Sequence, residues 1–474
     1  MFYVILLLIM SIKCLNMYKG VSKILINDFK RALNSGFGSA IMELKKSKDK
    51  ESTFKDAILY ATLHNTCYDP NCEDERYSYL FDAIKCTDDI EFYEDKIIEK
   101  LFKSDFFFTV QQLSGLLYLF GKEGSKKAVD ALINRFDEYL ILLPKKRIYT
   151  NAESSIKCAE IIAIRLCEFY GVDYFLKYIE NIEEILDYFP EKSLFPYDLI
   201  LNYSYEKFNE KKVLSILKKK SKKSDKIKSF LDKLLLDELI RKGSSENVDL
   251  SEITYKTLIN SVEKEDVRYL SLLSTKASRT AKEIEVLQAA DRFKSEKNLK
   301  IMHALIIFFI FIDYPYNISD IISKYDVSKD ESFKADCLNA LSRYKDKRLH
   351  ELAVYNLKNK ILIKESLGLL IKNFSDDYSY ILEALEEHKD NQRYDFHALA
   401  LQVIKIFQNR RCKKAFEVLA YTYKKSRCSC CRTSLIKIMC NNNIISDEIL
   451  QECLYDCSYE TKTLAQNYIR SINN

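Results

Sequence analysis

Glycine, proline and tryptophan are scarce in this chain. Of 474 residues, 9 are Gly, 5 are Pro and none is Trp, where ordinary usage is roughly 7% Gly and 5% Pro. Sheet-rich folds need turn residues every 8–12 positions or so, and this sequence cannot supply them. Nucleotide folds built on Gly-rich phosphate loops are excluded on the same ground. Long apolar runs are also missing. The two longest, residues 1–12 and Ile301–Ile312 (IMHALIIFFIFI), are each too short to cross a bilayer as a helix. What is present is 47% apolar and 30% charged residue, which fits a large helical protein and argues against disorder.

Charge is unevenly placed. Residues 205–242 carry 13 Lys and Arg against 6 Asp and Glu, and residues 391–440 carry 11 against 2. These segments hold +7 and +9 of a chain total of +5, which leaves the remainder at −11. An acidic body with two basic segments points to an anionic partner. The 14 cysteines sit mostly inside helical patterns, such as Cys158 and Cys167 in KCAEIIAIRLCEFY. They read as thiols in a reducing cytoplasm. Residues 1–12 have no Lys or Arg ahead of the apolar stretch, and no small-residue cleavage site follows. Residues 1–16 are therefore read as an extension, with Met17 as the true start. A signal or anchor segment and a buried strap are the alternatives.

Helical periodicity dominates the rest. Phe54, Ala57, Ile58 and Ala61 follow i, i+3, i+4, i+7. Asn34-Ser35-Gly36 reads as a helix stop, and Ser446 before DEIL as an N-cap. In the last third, LNALSRYKDKRLHELAVYNL, LGLLIKNFSDDYSYILEALEEH, QVIKIFQNRRCKKAFEVLAYTY and IKIMCNNNIISDEILQECLYD overlay. Leu341, Leu370, Ile404 and Ile438 then share one position, 29, 34 and 34 residues apart. Each unit is two apolar helices around a polar turn, which must stack on its neighbours to bury its face. The expected fold is all-α, an α-solenoid of stacked antiparallel helix pairs of HEAT-like type. An N-terminal array is expected over 17–243 and a C-terminal array over 251–474. Ile301–Ile312 is expected to be a buried helix, with His303 a satisfied core histidine.

Three stretches carry a family resemblance: NSGFGSAIMEL, YDPNCEDERYSYLFDAI and CSCCRTSLIKIM with ILQECLYD. Tyr68, Asp69, Cys72, Glu73 and Arg76 fit a pattern Y-D-x-x-C-E-x-x-R. Cys428, Ser429, Cys431 and Arg432, then Glu452, Cys453, Tyr455 and Asp456, fit C-S-x-C-R followed by E-C-x-Y-D. With these the chain resembles a group of HEAT-like repeat proteins of low-GC Gram-positive bacteria. It departs from them at Asp74 and in the extra Cys430. The resemblance implies the helical-repeat fold and carries no activity.

Three sets of residues qualify for chemistry. Cys428, Cys431, Cys453 and Cys457 have the spacing C-x2-C-x21-C-x3-C, which could hold zinc on four thiolates. Packed free thiols are the plainer reading, and a redox C-x2-C lacks thioredoxin-like strands around it. Tyr68, Asp69 and Arg76 could form a recognition loop, although acids at the start of a helix near Glu73 also read as capping. Arg410, Arg411, Lys413, Lys414, Lys424, Lys425, Arg427 and Arg432 could contact phosphates, with Phe407, Phe416, Tyr421 and Tyr423 interleaved. Gly121-Lys-Glu-Gly124 has a GxxG form without flanking strands and reads as a helix–helix turn. No HExxH or GxSxG is present. The sequence favours a non-catalytic binding or scaffold protein with a protein partner and no cofactor. Nucleic-acid binding of repair type, and a zinc or redox thiol site, are the alternatives.

Overall fold

The computed structural model describes residues 26–47, 50–142, 152–186, 197–243, 255–263, 270–388 and 396–473. The extension 1–16, the choice between Met1 and Met17, and Arg393 with Tyr394 lie outside the described residues. The described residues form helices joined by short turns, with no β-strand among them. They divide into two compact units. The first comprises Met1–Lys242, Arg427–Cys430 and Ser446–Asn474, and the second Gly243–Ser426 and Cys431–Ile445.

In the first unit a helix at 26–35 (α1) is followed by α2 (Gly38–Lys46), α3 (Lys50–Leu63), α4 (Tyr77–Lys85), α5 (Ile90–Phe102) and α6 (Phe107–Lys122). Then come α7 (Lys126–Leu142), α8 (Ala152–Tyr170), α9 (Val172–Leu186), α10 (Asp198–Phe208), α11 (Glu210–Lys220) and α12 (Asp225–Gly243). The helices stack in two rows, α4–α6–α8–α10 and α3–α5–α7. Helix α8 touches α6, α7, α9 and α10. Contact with four helices explains why Ile156, Cys158, Ala159, Ile161, Ile162, Ala163, Ile164, Leu166 and Cys167 are all buried, while Lys157 stays exposed.

The second unit holds α13 (Tyr255–Glu263), α14 (Leu270–Thr280), α15 (Glu283–Ser295), α16 (Leu299–Phe311), α17 (Ser319–Val327) and α18 (Glu331–Leu341). It continues with α19 (Lys347–Lys358), α20 (Ile363–Asn373), α21 (Tyr378–Glu386), α22 (Phe396–Phe407) and α23 (Phe416–Lys425). Helix α24 (Ser429–Asn441) starts in the short first-unit segment and continues in the second. Again there are two rows, α14–α16–α18–α20–α22 and α19–α21–α23. The first three of the four overlaid sequence segments fall on the pairs α18/α19, α20/α21 and α22/α23, and the fourth falls on α24 and α25. Asp330 and Asp346 cap α18 and α19 by accepting from the Phe333 and Arg348 amides at 2.7 and 2.9 Å. Helix α16 is the expected buried helix, and no described helix is long and apolar enough to cross a membrane. His303 approaches Asp336 at 3.7 Å, while its Nε2 has no hydrogen-bond partner.

The C-terminus differs from expectation. Helices α25 (Asp447–Cys453) and α26 (Tyr459–Asn473) pack in the first unit instead of extending the array before them. Glycine makes this possible. Gly38 of α2 lies against the Glu452 carbonyl, where any Cβ would collide. Gly36, at φ +76°, accepts the Cys457 amide at 2.9 Å, and its Cα faces the Cys457 thiol. Lys45 sits 4.0 Å over the Tyr455 ring, and the Tyr459 amide donates to Asp74 at 3.0 Å. Ser446 caps α25 as expected, accepting from the Ile449 amide at 3.3 Å.

Candidate functional site

A concavity lies within the first unit, across the α6–α8–α10 row. It is a cleft of about 930 Å³. Its floor is apolar, made by Ile156, Ile161 and Ile164 of α8, with Phe107 and Phe108 of α6 and Leu199 of α10. Polar groups converge on it from four elements: Glu75 and Asn71 before α4, Gln111 from α6, Glu160 and Arg165 from α8, and Asp198, Asn202 and Glu206 from α10.

Two of these groups are buried, and both are on α8. Glu160 is 2% exposed. One of its oxygens accepts the Leu199 and Ile200 amides, both at 3.0 Å, so it caps α10 from another helix. That supplies acceptors which the N-cap residue Tyr197 does not offer. The other oxygen has no hydrogen-bond donor among the described residues. Burial raises the Glu160 carboxyl to about 7, a carboxylate being disfavoured away from water. Arg165 is 9% exposed. Its Nη2 donates to Glu75, its guanidinium lies 4.8 Å from the Tyr77 ring, and its Nε has no acceptor. Gln111 donates to the same Glu75 at 3.2 Å. The lining thus contains one buried donor without a partner, Arg165 Nε, and one carboxyl oxygen of Glu160 that is open to solvent.

The residues singled out from sequence are placed differently. Arg76 is 2% exposed and cannot meet a ligand. It pairs with Glu73 at 2.6 Å, both side chains fully shielded, and donates to the Thr66 and Asn34 carbonyls. Asp69 accepts the Asn71 amide at 3.0 Å and Glu73 the Asp69 amide at 3.3 Å, so the segment is a self-bonded turn. Helix α4 consequently starts at Tyr77, not near Glu73. Tyr68 and Asp69 are half-buried. The recognition-loop expectation is corrected for Arg76, which is a structural clamp.

Arg432 is fully buried, with Nη1 donating to the Ser426 carbonyl at 3.3 Å, so it too is withdrawn as a partner contact. Arg410 donates to the Ile406 and Ile371 carbonyls at 3.1 and 2.8 Å and so satisfies carbonyls near the ends of α22 and α20. Arg411, Lys413, Lys414, Lys424, Lys425 and Arg427 are exposed. Lys413 and Lys414 lie before α23 and Lys424 and Lys425 at its end, so they flank opposite ends of one helix. Phe407 and Tyr423 are buried, and Phe416 and Tyr421 half-buried.

The four thiolates expected to share zinc do not converge. Among the described residues, no group of three or more His, Cys, Asp or Glu side chains close enough for one ion includes Cys453 or Cys457. Cys453 is fully buried, and Cys457 packs against Gly36. Cys431 instead lies 3.4 Å from His397 Nδ1 within the second unit. All described cysteines are free thiols. Gly121 and Lys122 close α6, and Glu123 with Gly124, at φ +104°, forms the turn to α7.

None of the cleft residues is among those the sequence singles out. In CAEIIAIRLC a Glu and an Arg interrupt an otherwise apolar run, and such charges in an apolar helix mark a site. No family model, no curated protein and no solved structure matches the chain.

Proposed function

We propose that this chain is a non-catalytic binding protein, built on a helical-repeat scaffold of HEAT-like kind and working in a reducing cytoplasm. It would recognise a macromolecular partner, a protein, through the cleft of its first unit. The observation that carries this reading is the cleft itself: an apolar floor with a few convergent polar groups, among them the buried and incompletely paired Arg165. A carboxyl raised to about 7 is also the mark of a general acid or base. Here the lining offers it no His or Cys. Ser154 donates to the Asp105 carbonyl at 2.9 Å and Tyr203 to Glu168 at 2.8 Å, so neither is poised as a nucleophile beside it. Free thiols throughout the described residues agree with a reducing compartment.

Affinity capture from the native host, followed by hydrogen–deuterium exchange on the complex, tests the reading. Protection of α6, α8 and α10 on binding supports it. Protection confined to other helices overturns it.

A second reading, nucleic-acid binding by the second basic segment, is favoured by the exposure of Arg411, Lys413, Lys414, Lys424, Lys425 and Arg427. Base stacking finds little support there, since the interleaved aromatics are buried or half-buried.

A further inference from the structure

We propose that the cleft takes an extended peptide segment of a protein partner, one that places an apolar side chain on Ile156, Ile161 and Ile164 and a neighbouring Lys or Arg against the acidic wall. This rests on the binding reading above and gives it a ligand class.

Three observations carry it. The first is the pair of unpartnered groups on α8. Glu160 has an oxygen without a donor, and Arg165 has an Nε without an acceptor. Of the two, Arg165 Nε is buried, and a buried polar atom without a partner is costly and rare, so a ligand that pairs it removes a penalty, while the Glu160 oxygen exchanges water for a ligand donor. A ligand that satisfies both must donate at one point and accept at another. Main-chain amides do this at every residue. A helical ligand would not, because its N–H and C=O groups are already used internally. An extended segment keeps them free, as in strand-addition modes of peptide recognition.

The second observation is the floor. Ile156, Ile161 and Ile164 are 3%, 5% and 6% exposed, yet all line the cleft. They form an apolar base with little surface of its own left to cover, on which an apolar side chain can rest without leaving a polar group unpaired. Half-buried Phe107 and Phe108 and exposed Leu199 widen the apolar area at the margins.

The third observation is charge. Three carboxylates (Glu75, Asp198 and Glu206) and the Glu160 carboxyl, raised to about 7, line the cleft against two cations, Lys157 and Arg165. Glu75 is already paired with Arg165. Asp198 and Glu206 are exposed on α10 and face the partner with uncompensated negative charge. A Lys or Arg beside the apolar anchor complements them, and an Asp or Glu there is repelled.

The test uses the full chain and three end-blocked, fluorescently labelled peptides in anisotropy titrations. The first has an Ile-Lys-Ile core between Gly-Ser flanks, the second replaces Lys with Glu, and the third replaces both Ile with Gly. The first should bind, and the other two about tenfold or more weakly. Glu206→Lys, an exposed change that leaves the fold alone, should lower affinity for the Lys peptide and raise it for the Glu peptide. Glu160→Gln keeps an oxygen for the α10 amides but puts a donor where the free acceptor stood, so it should weaken the Lys peptide about fivefold or more. Circular dichroism melts confirm that both variants fold. Equal binding of the Lys and Glu peptides, or affinity unchanged by both substitutions, overturns the proposal. If no peptide binds while a captured partner still protects α6, α8 and α10, the peptide class is wrong and the binding reading stands. Protection elsewhere sinks both.

Discussion

Glu160 links the chemistry of the cleft to the stability of the unit. In the unfolded chain its carboxyl titrates near the ordinary value of 4.5, and in the folded chain at about 7. Between these values the unfolded state releases the proton first, so stability falls as pH rises from about 4.5 to 7. Below that window the group adds no penalty, and above it the penalty is complete, ~3 kcal/mol. Glu160→Gln cannot ionise and should lose this dependence. Urea midpoints taken from pH 4 to 8 should show the variant gaining on the wild type by about that amount. Parallel curves would contradict the burial argument. The sequence shows the two α8 charges as an oddity in an apolar helix, but their partners come from far along the chain. The Leu199 and Ile200 amides are 39 and 40 residues away, and Glu75 is 90. No local pattern encodes such pairings. The same limit explains Arg76 and Arg432, for which a count of basic residues says nothing about burial. Removing Arg76 alone would leave Glu73 as an uncompensated buried charge, at a cost of about 3–5 kcal/mol.

At the scale of elements, the meeting of α2 with α25 depends on one missing Cβ. Gly38 is the first residue of α2, and its backbone conformation does not itself call for glycine. Its Cβ, however, would run into the Glu452 carbonyl, and neither backbone can easily retreat. Gly38→Ala should therefore destabilise by about 1–3 kcal/mol and speed amide exchange in 447–453. A stabilised variant would show that α25 does not pack there. Helix pairs were legible where their spacing was regular, in α18 to α23. They were not legible in the first unit, where α4, α6, α8 and α10 begin 30, 45 and 46 residues apart. Segments 143–151 and 187–196 lengthen two of those intervals, and a fixed period is lost although the stacking rule is unchanged. The turn at 69–76 was misread as a helix start because acids in a first turn and acids in a self-bonded turn look alike in sequence.

For the whole molecule, the scarcity of Gly and Pro gave helix throughout, and the described residues agree. The charge imbalance carried less. Of the eight cations proposed for contact near the C-terminus, Arg432 is buried and Arg410 is tied to carbonyls, while the others are exposed. If those six bind nucleic acid, replacing Lys413 and Lys414 with Gln should flatten the dependence of log affinity on log salt by about 2. A slope near zero for the unmodified chain removes nucleic acid as a partner. The central claim, that partners are recognised on the α6–α8–α10 row, is tested most directly by hydrogen–deuterium exchange. The full chain is compared alone and in complex with a partner captured from its native host. Slowed exchange in 107–122, 152–170 and 198–208, lost with Glu206→Lys, is the predicted result. Exchange unchanged in all three segments, with protection in α13–α23 instead, would contradict it.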